Sequence, residues 1–270
     1  MRLYLLDCNG LGHWLFHSKR MDEQGNEIDL AAATRQWWAR FVAELGPTHV
    51  AAIFDGPNNW RVKEHTEYKS SRLAKAPDEE KKAALKTLPQ TWRDLGVPVL
   101  CYDTFEADDA IASVVNQFAS PECEVIMVTS DKDMMQLVAP CVKQYDPRPN
   151  KAGVCVFYDE AGVEEKLGVP PHRVVDLLAL MGDASDDVPG CEGWGKVRAV
   201  NAIRQTNSAA ELFRKAALGK LERIAANHQA DLGGQRAAFD LSHKLASLRF
   251  DVPVPRDIEA YRVTGLQVAA

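Results

Sequence analysis

The chain has 270 residues, is 46% hydrophobic and holds 17 Gly and 14 Pro, which suits one large α/β domain or one domain with a helical appendage. No apolar run approaches the roughly 20 residues that a membrane span needs. A net charge of −6 taken alone argues against a nucleic-acid binder, but charge acts through its distribution.

The opening "MRLYLLDCNG" enters a strand directly and lacks the cleavage signature of a signal peptide. The runs "RLYLLD", "HVAAIFD" and "EVIMVTSD" read as fully buried parallel strands, each aliphatic and each followed by a helical pattern. Between the first two lies the helix "DLAAATRQWWARFVAEL", stopped by Gly46 and Pro47. From Trp60 to Leu100 there are nine Lys/Arg (Arg61, Lys63, Lys69, Arg72, Lys75, Lys81, Lys82, Lys86, Arg93) against six Asp/Glu. That stretch holds the helical segment "DEEKKAALKTLPQTWRDLG", and "VPVLCY" follows as a further strand. In "EADDAIASVVNQFA", Ile111, Val114, Val115 and Phe118 fall at helical spacing. The alternation predicts a doubly wound sheet to about residue 160. Beyond it come the helices "DEAGVEEKLG", "HRVVDLLALMG", "GKVRAVNAIRQ", "AAELFRKAALG" and "AAFDLSHKLASL". Two regions are expected: a core over 1–160 carrying a basic segment at about 58–95, and a helical region over 161–270. The six cysteines are scattered, with no C-x-x-C pair, and read as free thiols.

Each of the three strands closes on an acid: Asp7, Asp55 and Asp131. In an open parallel sheet, ligands bind beyond the carboxyl ends of the strands where strand order reverses, so these carboxylates should converge. "FEADD" adds Glu106, Asp108 and Asp109, with Glu106 and Asp109 sharing a helix face. "DKD" adds Asp133, and "GDASDD" adds Asp183, Asp186 and a candidate in Asp187. Any one of these acids is explained by helix capping. The set is not, because so many carboxylates at one edge repel, and no basic residue follows the strands to pair them. Divalent cations are the simplest neutralisation, and oxygen-only ligands select Mg²⁺ or Mn²⁺ over zinc. Two such ions a few Å apart suit in-line attack of water on a phosphodiester.

"FDGPNNWRVKEHTEYKSSR", "FEADDAIA", "VTSDKDMMQLV" and "LMGDASDDVPGCEGWGKVRA" together resemble the structure-specific 5′-nucleases. This is the flap endonuclease and 5′–3′ exonuclease family, which includes the 5′-nuclease domain of bacterial DNA polymerase I and free-standing phage 5′-nucleases. The resemblance covers residues 1 to about 250 and implies an α/β, PIN/resolvase-like core, a basic helical arch and a C-terminal helix–hairpin–helix. It implies one metal group from Asp7, Asp55, Glu106 and Asp108, with Asp109, Asp131, Asp133, Asp183 and Asp186 forming or supporting a second. Lys69 and Arg72 match the basic pair that meets the scissile phosphate. Arg61, Tyr68, Gly190, Gly193, Gly195, Lys196 and Arg198 are the implied DNA contacts. The hairpin of the family also holds K⁺ through main-chain carbonyls, which places that ion near Leu180, Met181, Pro189, Cys191 and Trp194. The implied partner is DNA with 5′ ends, flaps or junctions. The expected protein is a free-standing cytoplasmic monomer, off the membrane, working beside a separate DNA polymerase.

The sequence departs from the family pattern at Trp14, where an arginine is usual, and at Val197, where a lysine is usual, although Lys196 and Arg198 flank it. The Asp55 to Arg61 spacing is one residue shorter than in polymerase-linked members. Trp14 reads as core, with base stacking as the alternative. His13 and His17, four apart, lack the further ligands of a zinc site. Two rival functions carry features of their own. A haloacid-dehalogenase-like phosphatase would use Asp7, Thr129 or Ser130, Lys132 and "GDASDD", but it needs an aspartate where Asn9 stands. A branched-DNA binder that does not cut would have lost second-site acids, yet Asp183 and Asp186 are present.

Overall fold

The computed structural model describes residues 1–18, 20–21, 24–73 and 78–265. Lys75, in the basic segment, lies outside the described residues. In chain order the first half runs β1 (Arg2–Asp7), α1 (Cys8–His17), α2 (Leu30–Leu45), β2 (His49–Phe54), α3 (Trp60–Glu64), α4 (Ser70–Leu73) and α5 (Glu79–Asp94). It continues with β3 (Val99–Cys101), α6 (Ala107–Phe118), β4 (Glu124–Val128), β5 (Val142–Asp146) and β6 (Val156–Tyr158). Helices α7 (Glu160–Leu167), α8 (Val174–Met181), α9 (Lys196–Ile203), α10 (Ala209–Ala217), α11 (Ala226–Gly234) and α12 (Arg236–Ala246) follow.

The sheet order is β3-β2-β1-β4-β5-β6, parallel except for the antiparallel edge strand β6. Alternate residues of the central strands enter two separate cores. Leu3, Leu5, Ala51, Ile53, Val125 and Met127 face α6 and the C-terminal helices. Tyr4, Leu6, Val50, Ala52, Ile126 and Val128 face α1, α2 and α5. Burial on both faces is why these strands are continuous apolar runs. Side chains of α7, α8, α9 and α12 join the first of these cores.

Strand order reverses between β1 and β4, since β2 and β3 extend one way and β5 the other. The crevice there opens above Asp7 and the segment after Val128. The basic segment returns to the sheet through α5. The lower part of that helix is anchored by buried Leu88, Thr91 and Trp92.

Candidate active site

Asp7 ends β1 and caps α1: its Oδ1 accepts the Gly10 amide at 3.0 Å, and its Oδ2 accepts the Thr129 hydroxyl at 2.8 Å. A Cβ at position 10 would lie 2.6 Å from Asp7 Oδ2, so a larger residue there would push the carboxylate from its place. Asp55 follows β2, accepting the Ala107 amide at 2.8 Å and the Asn9 side-chain amide at 2.7 Å. Glu106 stands at the start of α6 without capping it, so its carboxylate is left to turn inward. It accepts Arg61 Nη1 at 2.9 Å, the Tyr68 hydroxyl at 3.0 Å and the Lys69 ammonium. Among the described residues no hydrogen-bond donor meets the Asp108 carboxylate. Burial, then the charges of Asp131, Asp7 and Glu106, push that carboxyl well above the usual range. Burial likewise raises Asp55, with Glu106 adding to it, and lifts Asp7 to about 6, with Asp55 and Asp131 adding to that. The Thr129 hydroxyl, bonded to both Asp7 and the Asp131 amide, and the bond of Asp55 to the Ala107 amide bring the acids of three strands and α6 to one basin.

A second group adjoins it. Asp131 Oδ1 accepts the Asp133 amide at 2.9 Å. Burial and the charges of Asp131, Asp183 and Asp186 lift Asp133 to about 7, and its Oδ1 is buried without a hydrogen-bond partner. Burial also acts to raise Asp183, but hydrogen bonds from Lys132 and Ser185 outweigh it and hold the group low. Asp186 takes Arg72, with Lys69 Nζ at 3.5 Å and the Tyr68 hydroxyl at 3.3 Å.

Protein cations therefore do pair part of the cluster, contrary to the sequence expectation. Lys132, inside "DKD", bonds Asp183 and lies 3.4 Å from Asp133 Oδ1, while Lys69 and Arg72 come from the foot of the basic segment. With these cations in place, no three His, Cys, Asp or Glu side chains among the described residues converge on a single ion position. The donor set still fits hard divalent cations. Every acid in the basin offers oxygen, Asp133 Oδ1 is buried without a hydrogen-bond partner, and no donor among the described residues meets the Asp108 carboxylate.

Four implied assignments are corrected by their surroundings. Asp109 is wholly buried and its acceptor positions are filled by Arg61 Nη1 and Nη2 at 2.8 and 2.9 Å, Trp60 Nε1 at 2.9 Å and the Arg249 amide at 3.0 Å. It has no lone pair left for a metal. Arg61 spends its donors on Asp109, Glu106 and the carbonyls of Leu245 and Ser247, and is buried, so it cannot grip DNA. Tyr68 is buried too, its hydroxyl held between Glu106 and Asp186. Gly190 is buried with φ 67°, and a Cβ there would meet Gly182 N at 2.3 Å; it serves close backbone packing, not phosphate contact.

Lys69 and Arg72 do reach the basin. Lys69 holds a left-handed backbone (φ 57°), and its amide donates to the Asp186 carbonyl at 2.9 Å. The Ser71 amide donates to Asp187 at 2.8 Å, so the whole foot of the segment is docked on the "DASDD" loop.

In the hairpin between α8 and α9, Gly193 and Gly195 are exposed, and a Cβ on Gly195 would meet nothing within 4 Å. Gly195 caps α9 without a side-chain bond, leaving the first amides of the helix to solvent. Arg198 lies beside Gly193, Lys196 donates to the Lys166 carbonyl at 3.0 Å, and Val197 is exposed. Among the candidate K⁺ carbonyls, Leu180 already accepts the Cys191 amide at 2.7 Å and Cys191 accepts the Trp194 amide at 3.0 Å. Trp14 is half-buried, with the Arg20 guanidinium 5.2 Å from its ring. The His13 and His17 rings lie 4.5 Å apart, with no third ligand among the described residues.

Residues 2–168 match the 5′–3′ exonuclease N-terminal resolvase-like domain, and residues 169–269 match the 5′–3′ exonuclease C-terminal SAM fold. This chain belongs to the 5′–3′ exonuclease family. Flap endonuclease Xni of Shewanella sp. (strain MR-4) is 32% identical over 220 residues, covering 81% of this chain and 80% of that protein. DNA polymerase I of Rhizobium leguminosarum is 35% identical over 216 residues, which span 79% of this chain and 20% of the polymerase. In fold, the chain is similar to T5 5′-exonuclease with divalent metal ions (zinc) bound, at a TM-score of 0.74 and 18% identity, covering 91% of this chain and 89% of that one. The catalytic core of Rad2 in complex with DNA substrate aligns at a TM-score of 0.55 and 14% identity, over 95% of this chain and 80% of that one. As a family member, the chain is a nuclease, a hydrolase of DNA phosphodiesters.

Proposed function

We propose that this nuclease is a divalent-metal-dependent 5′–3′ exonuclease and 5′-flap endonuclease using Mg²⁺ or Mn²⁺ at two positions. The observation that carries the reading is the Asp108 carboxylate, half-buried beside the charges of Asp7, Asp131 and Glu106 with no protein hydrogen-bond donor of its own among the described residues. Like charges crowded at a half-buried site repel, and a divalent cation relieves that repulsion. Asp7, Asp55, Glu106 and Asp108 would hold one ion, with Asp131 between that group and the second of Asp133, Asp183 and Asp186. When bound, such ions polarise a water and neutralise charge on the reacting phosphate.

The remaining work falls to side chains and amides. Lys69 and Arg72, carried on the foot of the arch, orient the scissile phosphate and meet charge that grows on its oxygens. The exposed first turn of α9, beside Gly193 and Gly195, offers main-chain amides to a phosphate of the duplex, with Lys196 and Arg198 adjacent. The hairpin carbonyls of Met181, Pro189 and Trp194 complete a K⁺ position with those of Leu180 and Cys191. The substrate is DNA with a 5′ end, flap or junction. The protein acts as a cytoplasmic monomer, with a separate DNA polymerase extending behind it.

The experiment is cleavage of a labelled 5′-flap duplex with Mg²⁺ and with EDTA, with para-nitrophenyl phosphate alongside. Cutting near the junction that stops in EDTA is expected. Full activity in EDTA overturns the metal mechanism; turnover of the phosphate ester alone marks a phosphatase, and binding without cutting marks a DNA-binding relative.

A further inference from the structure

We propose that Gln144 is a positioning residue for the carboxylate basin, setting the spacing of its two halves through Thr129. The inference rests on the metal-dependent reading above. Gln144 lies in the middle of β5, in register with Met127 of β4, and is completely buried. Its side-chain Nε2 donates to two main-chain carbonyls just beyond β4, Thr129 at 3.0 Å and Asp131 at 2.9 Å. Both amide hydrogens are thus spent on the turn that carries Thr129 and Asp131. The Thr129 amide still donates to Tyr145 at 3.0 Å, so the ladder to β5 ends there and Gln144 holds the turn onto it.

From that turn the bonding runs into both halves of the basin. The Thr129 hydroxyl donates to Asp7 Oδ2 at 2.8 Å and accepts the Asp131 amide at 3.1 Å. Asp131 Oδ1 in turn receives the Asp133 amide at 2.9 Å. One line of hydrogen bonds therefore joins β5 to Asp7 in the first group and to Asp133 in the second. Gln144 does not enter the basin as a ligand. Nor is it there for packing, since its Oε1 is buried without a partner, a cost that a leucine would avoid. Replacing the amide leaves two carbonyls without donors and lets Asp131 and Asp133 drift relative to Asp7. Losing a partner that orients metal ligands costs about 10–100-fold in metal affinity or activity.

The test titrates Mn²⁺ into the full-length protein by electron paramagnetic resonance and measures the Mg²⁺ dependence of flap cleavage. The variants are Gln144→Leu, Thr129→Val and, as a control on the same strand, Val142→Ala. Gln144→Leu and Thr129→Val should each shift both titrations about tenfold or more, with cleavage recovering at high Mg²⁺. The double variant should be no worse than the worse single, because both act on one line of bonds. Val142→Ala should lower thermal stability and leave both titrations in place. A wild-type titration for Gln144→Leu, or an equal shift in Val142→Ala, overturns the proposal. If the wild-type chain neither binds Mn²⁺ nor cuts the flap, the functional reading has failed instead. Hydrogen exchange at the Asp131 and Asp133 amides of metal-free protein then decides for Gln144: faster exchange in Gln144→Leu supports it, and unchanged exchange overturns it.

Discussion

Asp108 and Asp109 are neighbours in the first turn of α6, yet they occupy opposite electrostatic conditions. Asp109 lies in a closed knot with Arg61, Trp60 and the Arg249 amide, its charge matched and its acceptors filled. Asp108 faces the basin, raised by burial and by like charges. A paired buried carboxylate is a structural investment that fails badly when one partner goes. An unpaired one is stable only when something outside the chain completes it. Adjacent acids of one type thus divide into scaffold and site according to which side of the helix supplies donors.

The largest effect expected from this contrast is in Asp108→Asn. Cleavage should fall by about three orders of magnitude with flap binding retained, and the metal-free protein should melt at a higher temperature, because a repelling charge is gone. A lower melting temperature would place Asp108 in the scaffold. Arg61→Ala should do the reverse, destabilising the fold by about 3–5 kcal/mol by stranding Asp109 and Glu106. Its folded fraction should bind flap DNA with the wild-type salt slope, and a shallower slope would restore Arg61 as a phosphate contact.

Lys69→Ala should lower single-turnover cleavage about 10²-fold at saturating flap. Lys82→Ala, farther along the segment, should change only salt-sensitive binding, so equal rates in the two variants would remove Lys69 from the chemistry. The smallest effect concerns pH. Asp7 and Asp133 are raised to about 6 and about 7, so both hold protons more tightly folded than unfolded. Their contribution favours folding at low pH and is lost as pH rises through those values. Metal-free protein should therefore melt higher at pH 5.5 than at pH 8, and Mg²⁺ should narrow the gap. A melting curve that ignores pH over this range would mean the basin is already neutralised by Lys69, Lys132 and Arg72.

Strands β1, β2 and β4 were legible because both their faces are buried, which forces unbroken apolar runs. Strands β5 and β6 were not, because "VKQYD" carries Lys143, Gln144 and Asp146 and β6 is a short edge. Helix α11 leaves no apolar periodicity to read, because "ANHQADLGG" is polar and ends in two glycines. The strand-end acids could be read because sheet topology alone brings them together. Asp109 could not, because its Arg249 donor lies 140 residues away in sequence. Arg61 looked like part of a basic surface, and only the carbonyls of Leu245 and Ser247 reveal it as interior. Lys132 stands between two aspartates in sequence, but its bond to Asp183, 51 residues away, exists only in the fold.

The bond between Lys69 and Glu106 has a thermodynamic consequence. On the proposed reading, Glu106 has two claimants, the Lys69 ammonium and any divalent ion in the first group. On that reading, an ion that takes Glu106 would free Lys69 for the phosphate, and a phosphate that draws Lys69 away would vacate Glu106 for the ion. Linkage makes the factor identical in both directions. DNA should therefore tighten ion binding by as much as the ion tightens DNA binding. An ion dissociation constant measured on protein without DNA belongs to a different charge arrangement from the one that cuts.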